Sequence, residues 1–507
     1  MATRDLGYEF LASTLKTAVF PPERTARIAS VSRISHQPDA ILVPSSVAPA
    51  SDEPLDHLFF ALKHEGLNLA AAIASLRRIP GADVANAFAA APSSRFARTA
   101  CYLWEIANGE ELKDLPAATG AYEKLFDEDD YLTDAVQRNT RWRIDFNGIG
   151  SPQYCITVRR TPEVQALLAQ DLLAQTAEFL GSVDKGILDR AVRWAYLSET
   201  DNSYAIERER PTPGKAEAFA AMLAKAHDGQ LVTEEYLVTL QNLAVSNPID
   251  KAVNFREAQN RLRNELRGAL GVTYLPPPPE LLDEVMAAVM RLANHRDSAL
   301  DPLVRGSLVS FAFVFAHPFM DGNGRLSRFL FHKVACTDHR LKSGLVLPVS
   351  IAMRRHEQDY LAALQSFSKR SRALWDVQWV GDEEIYQDFR GDPEIYRYWD
   401  ATACVEFGLR MASEALQRDL REEMIFLRRY DAIYRAVNSA VDMNNNDLVL
   451  TARAIAETGR LSNNRRKQLV AKGHTEALLD AAAMAAAEAM ELLGDEPAQP
   501  AAPPLAS

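Results

Sequence analysis

The chain has 507 residues, a formal net charge of −12 and four cysteines, with 47% apolar and 24% charged residues. This is an ordinary composition for a soluble globular protein. It excludes wholesale disorder, a disulfide-stapled miniprotein and a broad nucleic-acid-binding surface, which needs clustered Lys and Arg. Cys101, Cys155, Cys336 and Cys404 lie far apart with no CxxC pair. Neither a zinc finger nor a redox motif is written there, and a reducing, cytoplasmic setting is the expectation. Residues Met1 to Asp5 lack the apolar stretch of a signal peptide. No window of about 18 uninterrupted apolar residues marks a membrane span.

In chain order, residues 1–165 read as a mixed, partly helical region, with helical patterns at 55–78 and 97–109 and a Pro/Ser/Ala/Asp-rich loop at 38–54. Two short β-prone runs flank an Asn-Gly/Gly-Ser-Pro turn between Trp142 and Val158 and predict a hairpin. From Pro162 the apolar spacing is helical. It predicts helices over 162–182, 185–198, 203–209, 214–228, 232–245, 252–268, 279–295, 301–316 and 324–336. Helices resume at 354–368, 398–439, 447–458, 462–471 and 474–493. The expected organisation is a mostly α fold with a core over 166–370, a helical region over 371–494 and a disordered Pro/Ala-rich tail over 495–507.

One stretch carries chemistry: His317-Pro318-Phe319-Met320-Asp321-Gly322-Asn323-Gly324-Arg325-Leu326-Ser327-Arg328. The apolar run before it predicts a buried helix, which Pro318 ends. Asp-Gly-Asn-Gly then makes a tight loop that opens a second helix near Gly324. Such a loop turns backbone N–H groups outward at a positive helix end, which is an anion site suited to phosphate. Arg325 and Arg328 are three apart and share a helix face. Asp321 is a hard oxygen donor suited to Mg²⁺, and His317 has the chemistry of a general base. Together these residue types describe phosphoryl or nucleotidyl transfer.

The stretch resembles the core motif of the Fic (Fido) family, HPFx(D/E)GNGRxxR, at all nine specified positions. The resemblance implies a Fic-type helical core and a short β-hairpin flap, here within about 267–275. It also implies transfer of AMP from ATP to a Ser, Thr or Tyr hydroxyl of an unidentified target protein. In that reading His317 is the base, and Asp321 holds Mg²⁺ on the nucleotide's phosphates. The amides of Gly322, Asn323 and Gly324 bind phosphate oxygens, with the Asn323 side chain assisting. Arg325 and Arg328 hold the outer phosphates, and Phe319 anchors the loop. The segments Leu231–Leu237, Asn254–Asn260 and Tyr274–Pro279 resemble the family's upstream helices and flap. Tyr360 falls on a segment resembling the helix near the adenine pocket, with a core tyrosine as the alternative.

Ser203-Tyr-Ala-Ile-Glu207 is similar to the family's inhibitory motif, (S/T)xxxE followed by Gly or Asn, except that Arg208 stands in the last place. The expected inhibitory helix lies at about 198–210, capped by Asp201, Asn202 or Ser203, with Glu207 paired to Arg328. Three functions stay open: a braked adenylyltransferase, a Glu207-dependent de-AMPylating or bifunctional enzyme, and a nucleotide-sensing or DNA-binding regulator. A faint helix-turn-helix around Gly459 and a basic helix start at Ser462–Lys467 are the features for the last, with an αα-hairpin the commoner meaning of the first and a capped, solvated helix start the preferred meaning of the second. Nucleic acid and membrane are not the expected partners, and self-association is left open.

Overall fold

The computed structural model describes residues 4–245, 247–264, 271–337, 339–341, 344–380 and 385–493. Its elements are overwhelmingly helices, with small two- and three-stranded sheets between them. The chain is mostly α, as the apolar spacing predicts. Among the described residues no helix is long and apolar enough to cross a membrane, and no cluster of His, Cys, Asp and Glu is placed to hold a metal ion. All four cysteines are free thiols.

Three apolar cores organise the chain. The first gathers N-terminal residues from Tyr8 to Cys155, together with Tyr398. His57 is buried in this region, stacked 3.6 Å from Phe10, with its Nδ1 accepting from the Gly7 amide. The second and largest draws on residues from Leu132 to Leu427. The third is C-terminal, from Ile433 to Ala486. A division at 370/371 would therefore cut through the largest core, because the helix Thr402–Glu414 packs directly on the helix Pro302–Ala316. The crossing is tight. A Cβ on Gly408 would lie 2.1 Å from Ser307 Oγ, so only glycine fits. The segment after Trp375 also returns to the N-terminal region. Strand Tyr398–Asp400 pairs in parallel with Tyr154–Thr157, and Arg77 donates to the buried carboxylate of Glu394 at 2.7 Å.

The predicted hairpin between Trp142 and Val158 forms as Ile149–Ser151 against Tyr154–Thr157, while Ile144–Phe146 joins a separate small sheet. The helices at 185–198 and 203–209 are one, Lys185–Ile206. Asp201, Asn202 and Ser203 therefore lie inside a helix and do not cap one; Asn202 instead donates back to Ser198 O at 2.8 Å. The helix expected over 252–268 is absent from its described residues, which run irregularly into a two-residue strand, Leu262–Arg263, paired with Val272–Tyr274. Side chains of that segment reach across to other backbones, and the irregular path aims them. Of the expected flap, residues 267–270 lie outside the described residues and 271–275 carry this strand. The tail over 495–507 also lies outside them.

At the C-terminus, Gly459 is in the left-handed conformation between helices Asn445–Thr458 and Asn463–Ala471, and Ser462 caps the second. Arg466 pairs with Glu476 and Asp480, and Lys472 pairs with Asp447. Acidic neighbours thus take up two of the local cations, which fits a solvated αα-hairpin better than a phosphate-reading surface.

Candidate active site

Two helices build the site. Pro302–Ala316 is apolar on nearly every side and buried, so it holds a fixed position. A residue before proline is disfavoured in the helical region, and His317 leaves the helix in the left-handed conformation, φ 48°. Its N–H still donates to Phe313 O, closing the helix end. The loop turns at Gly322, φ 86°, where glycine removes the Cβ penalty. The motif helix, Asn323–Ala335, follows; its first-turn N–H groups have no intrahelical acceptor. Phe319 is buried against Phe255 and Phe313, which anchors the loop in the core.

His317 Nδ1 lies 3.2 Å from Val314 O. That contact requires the proton on Nδ1 and leaves Nε2 with a free lone pair. Burial lowers the ring's pKa to about 4, against a smaller upward pull from the Val314 carbonyl. At neutral pH the imidazole is therefore uncharged and ready to accept a proton.

The sequence expects the Asn323 side chain to help hold phosphate; the structure shows it first closing the loop. Its Oδ1 accepts from Phe319 N at 3.0 Å and its Nδ2 donates to Phe319 O at 2.7 Å, so both ends close the loop on itself. The second Nδ2 hydrogen and the backbone N–H are what Asn323 has left for an anion. Asp321 is part-exposed at the loop's rim, accepting from Gly322 N at 2.7 Å and lying 3.3 Å from Arg325.

Both motif arginines are 1% exposed. Arg328 donates to Ser203 Oγ, Ser203 O and Glu207 Oε1, each at 2.8 Å. Burial pushes its pKa down, but Glu207 outweighs this and holds it above the usual range. Ser203 and Glu207 thus act on one guanidinium from successive turns of the long helix. The Glu207 carboxylate also lies over the start of the motif helix: a Cβ on Gly324 would fall 2.0 Å from its Oε1. Tyr360 sits beside Arg328 while its ring packs 5.5 Å from Phe407, so the structure brings it to the site and to the core at once.

Arg208 has φ 59°. That left-handed conformation is the one Gly and Asn adopt most readily, which gives a physical reason for those residues at this position in the motif. The turn brings Glu209 round to Arg325, at 2.9 Å. Sequence reading missed Glu209, because a Glu-Arg-Glu-Arg run looks like a solvated face. It also missed Tyr204, whose ring lies under the Arg325 guanidinium at 4.9 Å. After these pairings, Arg325 Nε and Arg328 Nη1 remain buried without a hydrogen-bond partner. Two unsatisfied cationic donors beside a helix N-terminus call for an oxyanion.

Comparison with known proteins agrees with the chemistry. Residues 231–335 match the model of the Fic/DOC family. The protein adenylyltransferase fic-1 of Caenorhabditis briggsae is 30% identical over 95 residues, 18% of this chain and 18% of that protein. Among solved structures, a Fic family protein from Desulfovibrio desulfuricans is similar, with 21% identity over 59% of this chain and 87% of its own, at a TM-score of 0.40. Fic-1 of Caenorhabditis elegans is similar over 72% of this chain and 97% of its own, with 14% identity and a TM-score of 0.33. The matched segment contains the loop, both arginines and the buried helix that precedes them, so residues 231–335 are similar to the Fic/DOC domain.

Proposed function

We propose that this protein is an adenylyltransferase that moves AMP from ATP to a Ser, Thr or Tyr hydroxyl of a target protein, held in check by Glu207. The observation that carries the reading is the pair of buried arginines, each with an unsatisfied donor, in front of a helix N-terminus and a neutral histidine. The C. briggsae relative, a protein adenylyltransferase by name, supports the same reading.

His317 Nε2 takes the proton from the acceptor hydroxyl as its oxygen attacks the α-phosphorus. The bond from that phosphorus to the β-phosphate oxygen breaks, and pyrophosphate leaves. The outward N–H groups at the start of the motif helix hold phosphate oxygens, and Arg325 and Arg328 neutralise the outer phosphates. Asp321, part-exposed and next to those N–H groups, would hold Mg²⁺; the metal would neutralise charge on the phosphates. Tyr360 borders the γ-phosphate position through Arg328. Glu207 opposes all this by occupying Arg328 and the space over Gly324. A cytoplasmic setting, with ATP and protein acceptors at hand, belongs to the same proposal.

A second reading is favoured by one feature: the Glu207 side chain is 35% exposed and so is open to water. A carboxylate there could orient a water to remove AMP from a modified protein. Intact-mass measurement after incubation with ATP and Mg²⁺ separates the two. Self-modification of Glu207→Gly, absent from Glu207→Gly/His317→Ala, is the expected result. If Glu207→Gly gains no AMP with any acceptor supplied while wild type strips AMP from a modified protein, the hydrolase reading replaces the transferase one.

A further inference from the structure

The irregular segment 254–260, where a helix was expected, supplies a densely bonded side chain behind the loop. Arg256 is buried, and its side-chain hydrogen bonds go to backbone carbonyls. Its Nε donates to His317 O at 2.9 Å, Nη2 to Pro277 O at 2.6 Å and Ala316 O at 3.4 Å, and Nη1 to Ala258 O at 3.1 Å. Its own N–H donates to Pro318 O at 2.8 Å. Asn260 Nδ2 continues the series at Phe319 O, 3.1 Å, and reaches Met320 O at 3.5 Å. Gln241, fully buried on the helix Glu234–Ala244, donates to Asp321 O at 3.2 Å. Six consecutive carbonyls, Ala316 to Asp321, are thus held from behind by three side chains and one amide.

A trans peptide unit is planar, with C=O and the following N–H pointing in opposite directions. Drawing the Phe319, Met320 and Asp321 carbonyls inward therefore turns the N–H groups of Met320, Asp321 and Gly322 outward. Gly322 N agrees, donating to the part-exposed Asp321 carboxylate at 2.7 Å. The outward amides run straight into the free first turn of the motif helix.

We infer that Arg256 is a positioning residue for the nucleotide: with Asn260 and Gln241 it fixes the loop's carbonyls inward, so that the loop amides and the helix N-terminus present one donor array to the phosphates. The same guanidinium fixes the backbone of His317, so its loss also moves the base. This rests on the proposed nucleotide chemistry, and the test separates the two.

The parent for the test is full-length Glu207→Gly, in which the brake carboxylate is gone. ATP and, separately, tripolyphosphate are titrated by calorimetry into the parent, Asn260→Ala, Arg256→Lys and Arg256→Met. Transfer and thermal unfolding are recorded in parallel. Asn260 is part-exposed, so Asn260→Ala tests the idea even if Arg256→Met does not fold. Expected are a loss in ATP and tripolyphosphate affinity of about threefold to tenfold for Asn260→Ala and more than about tenfold for Arg256→Met, with Arg256→Lys between. The Arg256 variants should lose kcat in addition, while Asn260→Ala loses mainly in KM. If folded Asn260→Ala and Arg256→Lys bind both probes within twofold of the parent, the inference is wrong. If the parent binds ATP and the variants weaken as expected but none transfers AMP, the positioning role stands and the transferase reading falls. A parent that binds neither probe overturns both.

Discussion

Replacing Glu207 with glycine should release the site, and the structure sets the scale. The substitution removes one charge-assisted hydrogen bond, Oε1 to Arg328 Nη2 at 2.8 Å, and clears the space over Gly324. Such a bond has a net worth of about 1.5–3 kcal/mol. That free energy opposes phosphate binding at Arg328, so its removal converts to about 10- to 150-fold faster transfer at subsaturating ATP. The two Ser203 contacts remain and keep the guanidinium in place, so the gain is not lost to disorder of Arg328. Glu207→Gln keeps the shape and a neutral acceptor and should recover only part of the gain. Glu209→Gln should give a smaller activation, because Asp321 and Ala244 O still hold Arg325. The assay is the initial rate of AMP incorporation by intact mass over a range of ATP concentrations. A rate for Glu207→Gly within twofold of wild type, alongside clear activation by Glu209→Gln, would refute the assignment and make Glu209 the lock.

Three further outcomes follow from described contacts. As the proposed base, His317 must be neutral, and burial lowers its pKa to about 4, with Arg256 pushing further down and Glu207 and Asp321 pulling up. Transfer by Glu207→Gly should therefore stay flat from pH 7 to about 5 and fall only below that; an acid limb near the ordinary value of ~6.5 in folded protein would count against the buried-base geometry. Glu199 is fully buried on the long helix. Burial pushes its carboxyl pKa up, but His332 at 3.0 Å and the Ser350 amide and hydroxyl outweigh this and hold it below the usual range. A depressed carboxyl pKa stabilises the fold above the unfolded value of ~4.3 and stops doing so as pH falls through the folded value. Glu199→Gln should cost about 1–3 kcal/mol at pH 7 in urea unfolding, with the difference from wild type shrinking below about pH 4; a pH-independent difference would show that the charge is not what matters. Gly408→Ala, which drives a Cβ to 2.1 Å from Ser307 Oγ, should lower stability by about 1–3 kcal/mol; an unchanged melting temperature would mean that the two helices part freely.

The loop was legible because its chemistry is local. Proline, two glycines and two arginines three apart dictate a turn, a helix start and a shared face within twelve residues. The Ser203–Glu207 pair was legible for the same reason, since i,i+4 spacing places both on one side of a helix. What could not be read is what depends on partners far along the chain. Arg256 sits 61 residues from His317 in sequence, and its segment looked helical because apolar spacing says nothing of a guanidinium committed to distant carbonyls. Glu209 was hidden by Arg208, whose left-handed turn is unusual for arginine and redirects the residue after it. The border at 371 could not be placed from sequence because Trp399 and Phe407 return to the largest core from beyond it.

Burying two guanidiniums in the motif helix has a consequence for the molecule's history of use. A buried cation without an anion is costly, and here Glu207 and Glu209 supply the anions from within the chain. They are, in effect, a tethered surrogate ligand, so the fold does not depend on nucleotide being present. On the proposed function, substitutions at Glu207 that raise transfer should also erode resting stability, and ATP should stabilise such variants more than it stabilises the native chain. Durability and readiness pull against each other at one side chain, and a search for sturdier versions of this protein would keep returning the silent form.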